Sequence, residues 1–274
     1  MDHPAQSYRP GPLSSTLIGL ARHTPFGRGG LRKLMAKTVR ALNPGHPLDV
    51  SLYGGQARLH HTGNNSEVKA LLSPKRYARE EYAFCRSHMP RDGGTFLDIG
   101  GNAGVFSLYV ASLMNAGTLI AAEPQPAMYQ RLKTNFAMNS HLAKRLTLNL
   151  HQTAVGGETP GTLTISTPES AGQASARVKA GDPTIDVPVI PMLTLLNQSG
   201  VSKLDLLKID VEGFEDGVLF PFFAHAPKGL HPKAVVMEAC HAHRWERDCE
   251  ALLLEQGYKI VHKDRTNMML VLDA

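Results

Sequence analysis

An α/β fold, built on a largely parallel sheet with helices on both faces, is predicted from three observations. Short apolar, β-branched runs alternate with segments of helical periodicity from Thr95 onward. The first run, Thr95–Ile99, passes through the turn Gly100-Gly101-Asn102-Ala103-Gly104 straight into a helix. Several of the runs end in a carboxylate, namely Glu123, Asp210 and Glu238.

The 274 residues suffice for one large domain or for one domain with an appendage. A hydrophobic content of 42% with 19% charged residues permits a sizeable core. No apolar run approaches the ~20 residues that span a bilayer. Three cysteines, Cys85, Cys240 and Cys249, are odd in number and lack C-x-x-C spacing, which suits a reducing, cytoplasmic setting. Cys240, His241, His243 and Cys249 match no common zinc spacing and read as a fortuitous cluster.

The net charge of +5 is placed unevenly. From His3 to Leu48 there is no acid, while Arg9, Arg22, Arg28, Arg32, Lys33, Lys37 and Arg40 are all cationic. Such asymmetry suggests a polyanionic partner or a membrane surface. Three regions follow: a basic, partly ordered extension over 1–47, a hairpin and helical cap over 48–90, and the main domain over 91–274.

Prolines and glycines make residues 1–30 a loose lead-in; Leu13–Ala21 is too short and weakly flanked for a secretion signal, although the lack of acids also fits a transit peptide. Leu31, Leu34, Met35, Thr38 and Leu42 then recur at helical spacing between basic residues. That amphipathic helix either docks on the domain with a solvated basic face or uses residues 22–42 to meet anionic lipid or an acidic carrier. Leu48–His60 alternates about Tyr53-Gly54-Gly55 and predicts a hairpin. Ser66–Leu72 and Lys75–Ser87 predict helices lying over the mouth of the site.

Beyond the glycine turn the spacing predicts a helix over Val105–Asn115 and a strand over Thr118–Ala122. Pro126 opens a helix with Met128, Leu132 and Phe136 on its buried face. Leu146–Leu150 is a third strand, and residues 158–190 form a β-rich excursion punctuated by Gly161, Pro168, Gly172, Gly181 and Pro183. Leu204–Asp210 and Ala234–Glu238 are further strands, and Trp245–Gln256 is a helix. Tyr258–His262 and Met268–Leu272 close the chain as a hairpin, adding an antiparallel strand.

Which ligand the turn holds follows from its chemistry. Glycines at 100, 101 and 104 miss the G-x-G-x-x-G spacing of dinucleotide sites, and no Lys-Ser/Thr pair follows for a phosphate loop. Asp98, just before the glycines, repels a pyrophosphate but attracts an ammonium or sulfonium, which points to S-adenosylmethionine. The alternative for the stretch taken alone is an ordinary strand–turn–helix corner with a capping Asp. Glu123, about 20 residues on, is placed to accept both hydroxyls of a ribose. Gln152–Gly157, including Ala154 and Val155, is a compact apolar turn suited to flank an adenine.

The runs D-I-G-G-N-A-G-V-F-S-L at 98–108, A-E-P-Q-P at 122–126, N-F-A-M-N at 135–139, A-V-G-G at 154–157 and L-L-K-I-D-V-E-G-F-E at 206–215 resemble the FkbM-type family of S-adenosylmethionine-dependent methyltransferases. The resemblance covers roughly residues 75–240 and implies the Rossmann-like class I methyltransferase fold, a seven-stranded sheet whose last strand is antiparallel. It implies O-methylation of a hydroxyl on a sugar, glycolipid or natural product. By position, Asp98, Gly100, Asn102 and Gly104 would line the methionine part of the cofactor and Glu123 would hold the ribose. Asp210 and Glu212 would stand beside the reactive methyl group. Gly101 stands where the family usually has alanine, and the stretch 189–196 lacks the Asp usual after T-L.

Methyl transfer to a neutral hydroxyl calls for a base within hydrogen-bonding reach. Asp210 is the first candidate, then Glu212 and Glu238, then His241; Asp210 alternatively orients the cofactor or caps the next helix. Asp210, Glu212 and Glu238 together could also hold a divalent metal, since such ions prefer oxygen ligands. Two other readings stand beside this one, a non-catalytic binding module on the same fold and a nicotinamide-dependent oxidoreductase. Nucleic acid is not expected as a partner, because aromatic content is only 6% and no base-stacking motif occurs.

Overall fold

The computed structural model describes residues 7–167 and 174–273. The first residues of the expected lead-in, and Pro168 and Gly172, lie outside that range. From Pro12 the chain is helical rather than loose, as α1 (Pro12–His23) and α2 (Gly29–Leu42), which pack together. Pro12 sits in the first turn of α1, where its missing N–H costs nothing. A hairpin, β1 (Leu48–Leu52) and β2 (Gly55–Leu59), turns at Tyr53 and Gly54, both at positive φ as a two-residue hairpin turn requires. Next comes α3 (Asn65–Leu72), capped by the Asn64 side chain, which accepts from Ser66 N at 3.0 Å. The following helix, α4 (Arg79–His88), starts later than its apolar pattern suggests. Arg76 N and Tyr77 N both close on Ser73 O, and Ala78 at φ +47° breaks the helix there.

The main domain begins with β3 (Gly94–Ile99), α5 (Val105–Leu113), β4 (Gly117–Ala122), α6 (Pro126–Ala137), α7 (Ser140–Ala143) and β5 (Leu146–His151). An excursion follows, β6 (Ala154–Val155), β7 (Gly161–Ser166) and β8 (Thr184–Ile190), and forms its own sheet in the order β6-β8-β7. The chain then runs through α8 (Met192–Gln198), β9 (Leu206–Ile209), α9 (Glu215–His225) and β10 (Ala234–Glu238). It ends with α10 (Cys249–Glu255), β11 (Tyr258–Lys263) and β12 (Asn267–Leu272). The last helix begins at Cys249 rather than Trp245, because Asp248 Oδ1 accepts from Glu250 N and Ala251 N and caps it there.

The main sheet has seven strands in the order β11-β12-β10-β9-β3-β4-β5. Strands β10, β9, β3, β4 and β5 pair parallel, and β12 runs antiparallel to both β10 and β11. The antiparallel strand is thus inserted between two others, and β11 forms the edge. This is the Rossmann-like class I methyltransferase arrangement. Alternation along each strand divides the core in two. Phe96, Leu119, Leu206 and Val236 face a layer that also holds Val39, Leu59 and Leu71 of the first elements. Leu97, Ile99, Ile120, Leu207 and Val235 face Leu195, Val218, Phe222 and Leu253 of α8, α9 and α10. The strands are apolar on both faces, as a sheet covered on both sides demands. No helix of the described residues is long and apolar enough to cross a membrane.

Candidate active site

The C-terminal ends of β3, β4, β9 and β10 converge, and the carboxylates foreseen at strand ends converge with them. The glycine turn lies between two clefts. One, with about 620 Å³ of empty space, is lined by Gly100, Asn102, Glu123, Ala154, Val155, Asp210, Glu212 and Phe214. Leu163 and Ile165 of β7, with Ala174 and Ala176, complete its apolar wall. The other is lined by Gly100, Gly101, Asn102, Tyr77, Lys208, Asp210 and Glu238, together with Arg32 of α2, Lys69 of α3 and Arg76 of the turn after α3. Gly100, Asn102 and Asp210 border both clefts.

The glycine requirement at the turn comes from the protein itself. A Cβ on Gly100, which has φ +80°, would lie 1.9 Å from the Asp210 carbonyl oxygen. The end of β3 is therefore pressed against the end of β9. Gly101 borders the second cleft, and a Cβ there would meet Leu132 Cδ1 at 2.8 Å. Gly104 and Asp98 line neither cleft.

Asp98 is fully buried, and Lys208 occupies the place a ligand cation was expected to take. The two residues are in register on neighbouring strands and so point to the same face. Lys208 Nζ stands 3.3 Å from Asp98 Oδ1 and 3.4 Å from Asp210 Oδ2, and donates to Gly100 O at 2.8 Å. Ser107 Oγ of α5 donates to Asp98 Oδ2 at 2.5 Å. Burial works against the charge on Lys208, but Asp98 and then Asp210 overcome it and raise its proton affinity above the ordinary value. Lys208 was absent from the candidates drawn from sequence. The available signal was a lysine amid the apolar strand L-L-K-I, which needs a carboxylate partner if the strand is central.

Glu123 faces the first cleft while its oxygens accept backbone N–H groups, from Asn102 at 2.8 Å and Gln125 at 2.9 Å. Burial pushes it up to about 7. Each carboxylate oxygen keeps a lone pair for a further donor, as a ribose hydroxyl would be. Ala154 and Val155 are buried beside it, placed by parallel pairing of β6 with β8.

Glu212 has φ +56°, which swings its side chain to His241, whose Nε2 lies 2.9 Å from Glu212 Oε2. The Glu212 carbonyl accepts from Ser175 Oγ at 2.8 Å and from Arg244 at 3.1 Å, holding this unfavourable backbone in place. Burial, and then Asp210, push Glu212 up to about 7. Glu238 is raised further by burial and by both neighbouring carboxylates. His241 is lowered, by burial and then by Arg244. Two overlapping groups, Asp210–Glu212–Glu238 and Glu238–Cys240–His241, bring their ligand atoms within 4.8 Å of one another. The zinc-like set Cys240, His241, His243 and Cys249 is not brought together, since neither group contains His243 or Cys249.

Comparison with known proteins gives a consistent family. The profile described as methyltransferase FkbM domain matches residues 98–260. The chain is 27% identical over 202 residues to "Methyltransferase sdnD" of Sordaria araneosa, covering 62% of this chain and 74% of that protein. It is 25% identical over 195 residues to "Methyltransferase 1" of Beauveria bassiana, with the same coverage of 62% and 74%. Among solved structures, an O-methyltransferase from Bacillus cereus in complex with SAH has a TM-score of 0.45 at 12% identity, covering 73% of this chain and 82% of that one. The O-methyltransferase TomG from Streptomyces achromogenes, in complex with SAM, has a TM-score of 0.45 at 14% identity, covering 74% and 81%.

Proposed function

This chain belongs to the methyltransferase FkbM domain family, and from that premise we propose that it uses S-adenosylmethionine to methylate a hydroxyl on a sugar, glycolipid or natural product. The observation that carries the reading is the meeting of two clefts at Gly100, Asn102 and Asp210. One has a ribose-type carboxylate, Glu123, and an apolar wall suited to a planar base. The other is roomy and polar, as a hydroxylated acceptor needs. When bound, S-adenosylmethionine supplies an electrophilic methyl group on a sulfonium that leaves readily.

The chain's own residues then have three tasks. Glu123, Val155 and Phe214 hold the nucleoside, and the backbone from Gly100 to Asn102 holds the rest. Holding two reactants in line supplies up to roughly 7–11 kcal/mol of barrier lowering. Asp210, at the junction of the clefts and 3.4 Å from Lys208 Nζ, turns its carboxylate to the sulfonium end. The Glu212–His241 pair accepts the hydroxyl proton: with His241 lowered and Glu212 near 7, the pair takes up a proton close to neutrality. This ranks the pair above Asp210 as base, because Asp210 is engaged with Lys208. Free thiols at Cys85, Cys240 and Cys249 support work in the cytoplasm.

Calorimetric titration of the full chain tests the reading. S-adenosylmethionine should bind and NAD should not. Glu123→Gln should weaken binding at least tenfold, in line with the loss of a charged acceptor worth about 1.5–3 kcal/mol. Unchanged affinity in that variant would remove the ribose assignment, and binding of NAD instead would replace the reading with an oxidoreductase.

A further inference from the structure

Periodicity predicts that α2 buries the stripe Leu31, Leu34, Met35, Thr38 and Leu42. The structure turns most of that stripe outward. Val39 is the buried residue of α2, and Met35 and Ala36 pack against the core beside it. Leu31, Leu34 and Leu42 are 45%, 57% and 41% exposed. Their spacing places them with Thr38 along one line of the helix. Exposed Lys33 and Lys37 flank that line and pair with no described residue.

The neighbouring helix repeats the pattern. Leu13 and Leu20 of α1, one above the other at a seven-residue spacing, are 58% and 37% exposed, and Phe26 between the helices is 39% exposed. Of nine large apolar side chains exposed among the described residues, six fall between Leu13 and Leu42. Scattered exposed leucines are ordinary, but this concentration on one helical pair marks an interaction surface.

We propose that α1, α2 and the turn between them dock on a membrane surface rich in anionic lipid. The leucines enter the boundary between headgroups and acyl chains, and Arg28, Lys33, Lys37 and Arg40 lie among the phosphates. Charge selects this occupant. With no acid from His3 to Leu48, a second copy meeting the same face would oppose cation with cation. Arg32, between the lysine and leucine positions, borders the second cleft, so docking sets the cleft mouth beside the lipid. An acceptor carried by the bilayer is then within reach. That last consequence rests on the methyl-transfer reading, whereas the docking does not.

The test is co-sedimentation of the full chain with sucrose-loaded vesicles of phosphatidylcholine alone, or with about one-third phosphatidylglycerol. Sedimentation with the anionic vesicles, at least about tenfold stronger than with neutral ones and reversed by high salt, is the expected result. Lys33→Gln with Lys37→Gln should weaken partitioning about tenfold or more. Leu31→Gln with Leu34→Gln should do the same, with an unchanged melting temperature because both side chains already face water. Either of three results overturns the proposal: a chain that stays in the supernatant with anionic vesicles, a leucine variant that partitions like the parent, or a vesicle-free dimer that the leucine variant dissolves. Calorimetry with S-adenosylmethionine runs beside it. Loss of cofactor binding with retained docking would sink the functional reading and leave this one standing.

Discussion

At the scale of single residues, the ion pair beneath the glycine turn sets the electrostatics of the site. Asp98 has no access to water, so its charge depends on Lys208 and the Ser107 hydroxyl. Removing one partner of a buried pair leaves the other uncompensated, which costs about 3–5 kcal/mol. Lys208→Met should therefore lower stability by that amount in urea unfolding. Adding Asp98→Asn should restore part of the loss, since no lone charge then remains. Equal unfolding midpoints for the parent and Lys208→Met would show that water already reaches Asp98. The pair also links Asp98, which lines neither cleft, to their junction: Asp98 stands against Lys208, and Lys208 against Asp210.

At the scale of elements, two asparagines of the N-F-A-M-N run act as latches. Asn135 lies in the last turn of α6 and Asn139 just beyond its end, immediately before α7. Asn135 is fully buried; its Oδ1 accepts from Arg58 N at 2.7 Å and its Nδ2 donates to Ala103 O at 2.8 Å. Asn139 Oδ1 accepts from Gln56 N at 2.9 Å while its Nδ2 donates to Gln56 O at 2.7 Å. The hairpin β1–β2 is thus tied through α6 to the glycine turn. A buried backbone group left unpaired costs about 1–3 kcal/mol. Asn139→Ala should cost that much and speed amide exchange at Gln56 and its neighbours, while strands β3 and β4 keep their protection. Uniform loss of protection across the sheet would mean that the hairpin is no separate unit.

At the scale of the whole molecule, buried acids make stability depend on pH. Burial raises Glu67, Glu123 and Glu212 to about 7 from an unfolded value of 4.5, with Arg131 only partly offsetting it at Glu67. Each favours its protonated form in the folded state, so its contribution is complete below its unfolded value and vanishes as pH rises through about 7. His60 runs the other way: burial lowers it to about 4 from 6.5, so its contribution is present above 6.5 and vanishes as pH falls through about 4. Three acids outweigh the one histidine, so between about pH 5 and 8 the melting temperature should be highest at the acidic end, fall mainly up to about pH 7 and level off above it, by about 2–4 °C for each kcal/mol lost. Scanning calorimetry across that range checks it, and a flat or rising profile would contradict the buried charge states. Saturating S-adenosylmethionine, at a hundred times its Kd, should raise stability by about 2.7 kcal/mol at any one pH.

Local composition was enough to determine the parallel α/β class, the glycine turn and the carboxylates at the ends of β4, β9 and β10. Each of these is written in a short run whose meaning depends on its neighbours in the chain. Four helices escaped that reading, α1, α7, α8 and α9; of the last two, α8 is a single short segment and α9 contains Pro221 in its interior. The existence of α8 and α9 rests on burial of Leu195, Val218 and Phe222 against the sheet, a long-range contact that no local pattern announces. Tertiary structure alone decided that Lys208 stands against Asp98, because register across β3 and β9 brings together two residues 110 positions apart in sequence. It alone decided which side of α2 faces water. A helical pattern shows that an apolar stripe exists, whereas the direction it points depends on what the rest of the chain packs against it.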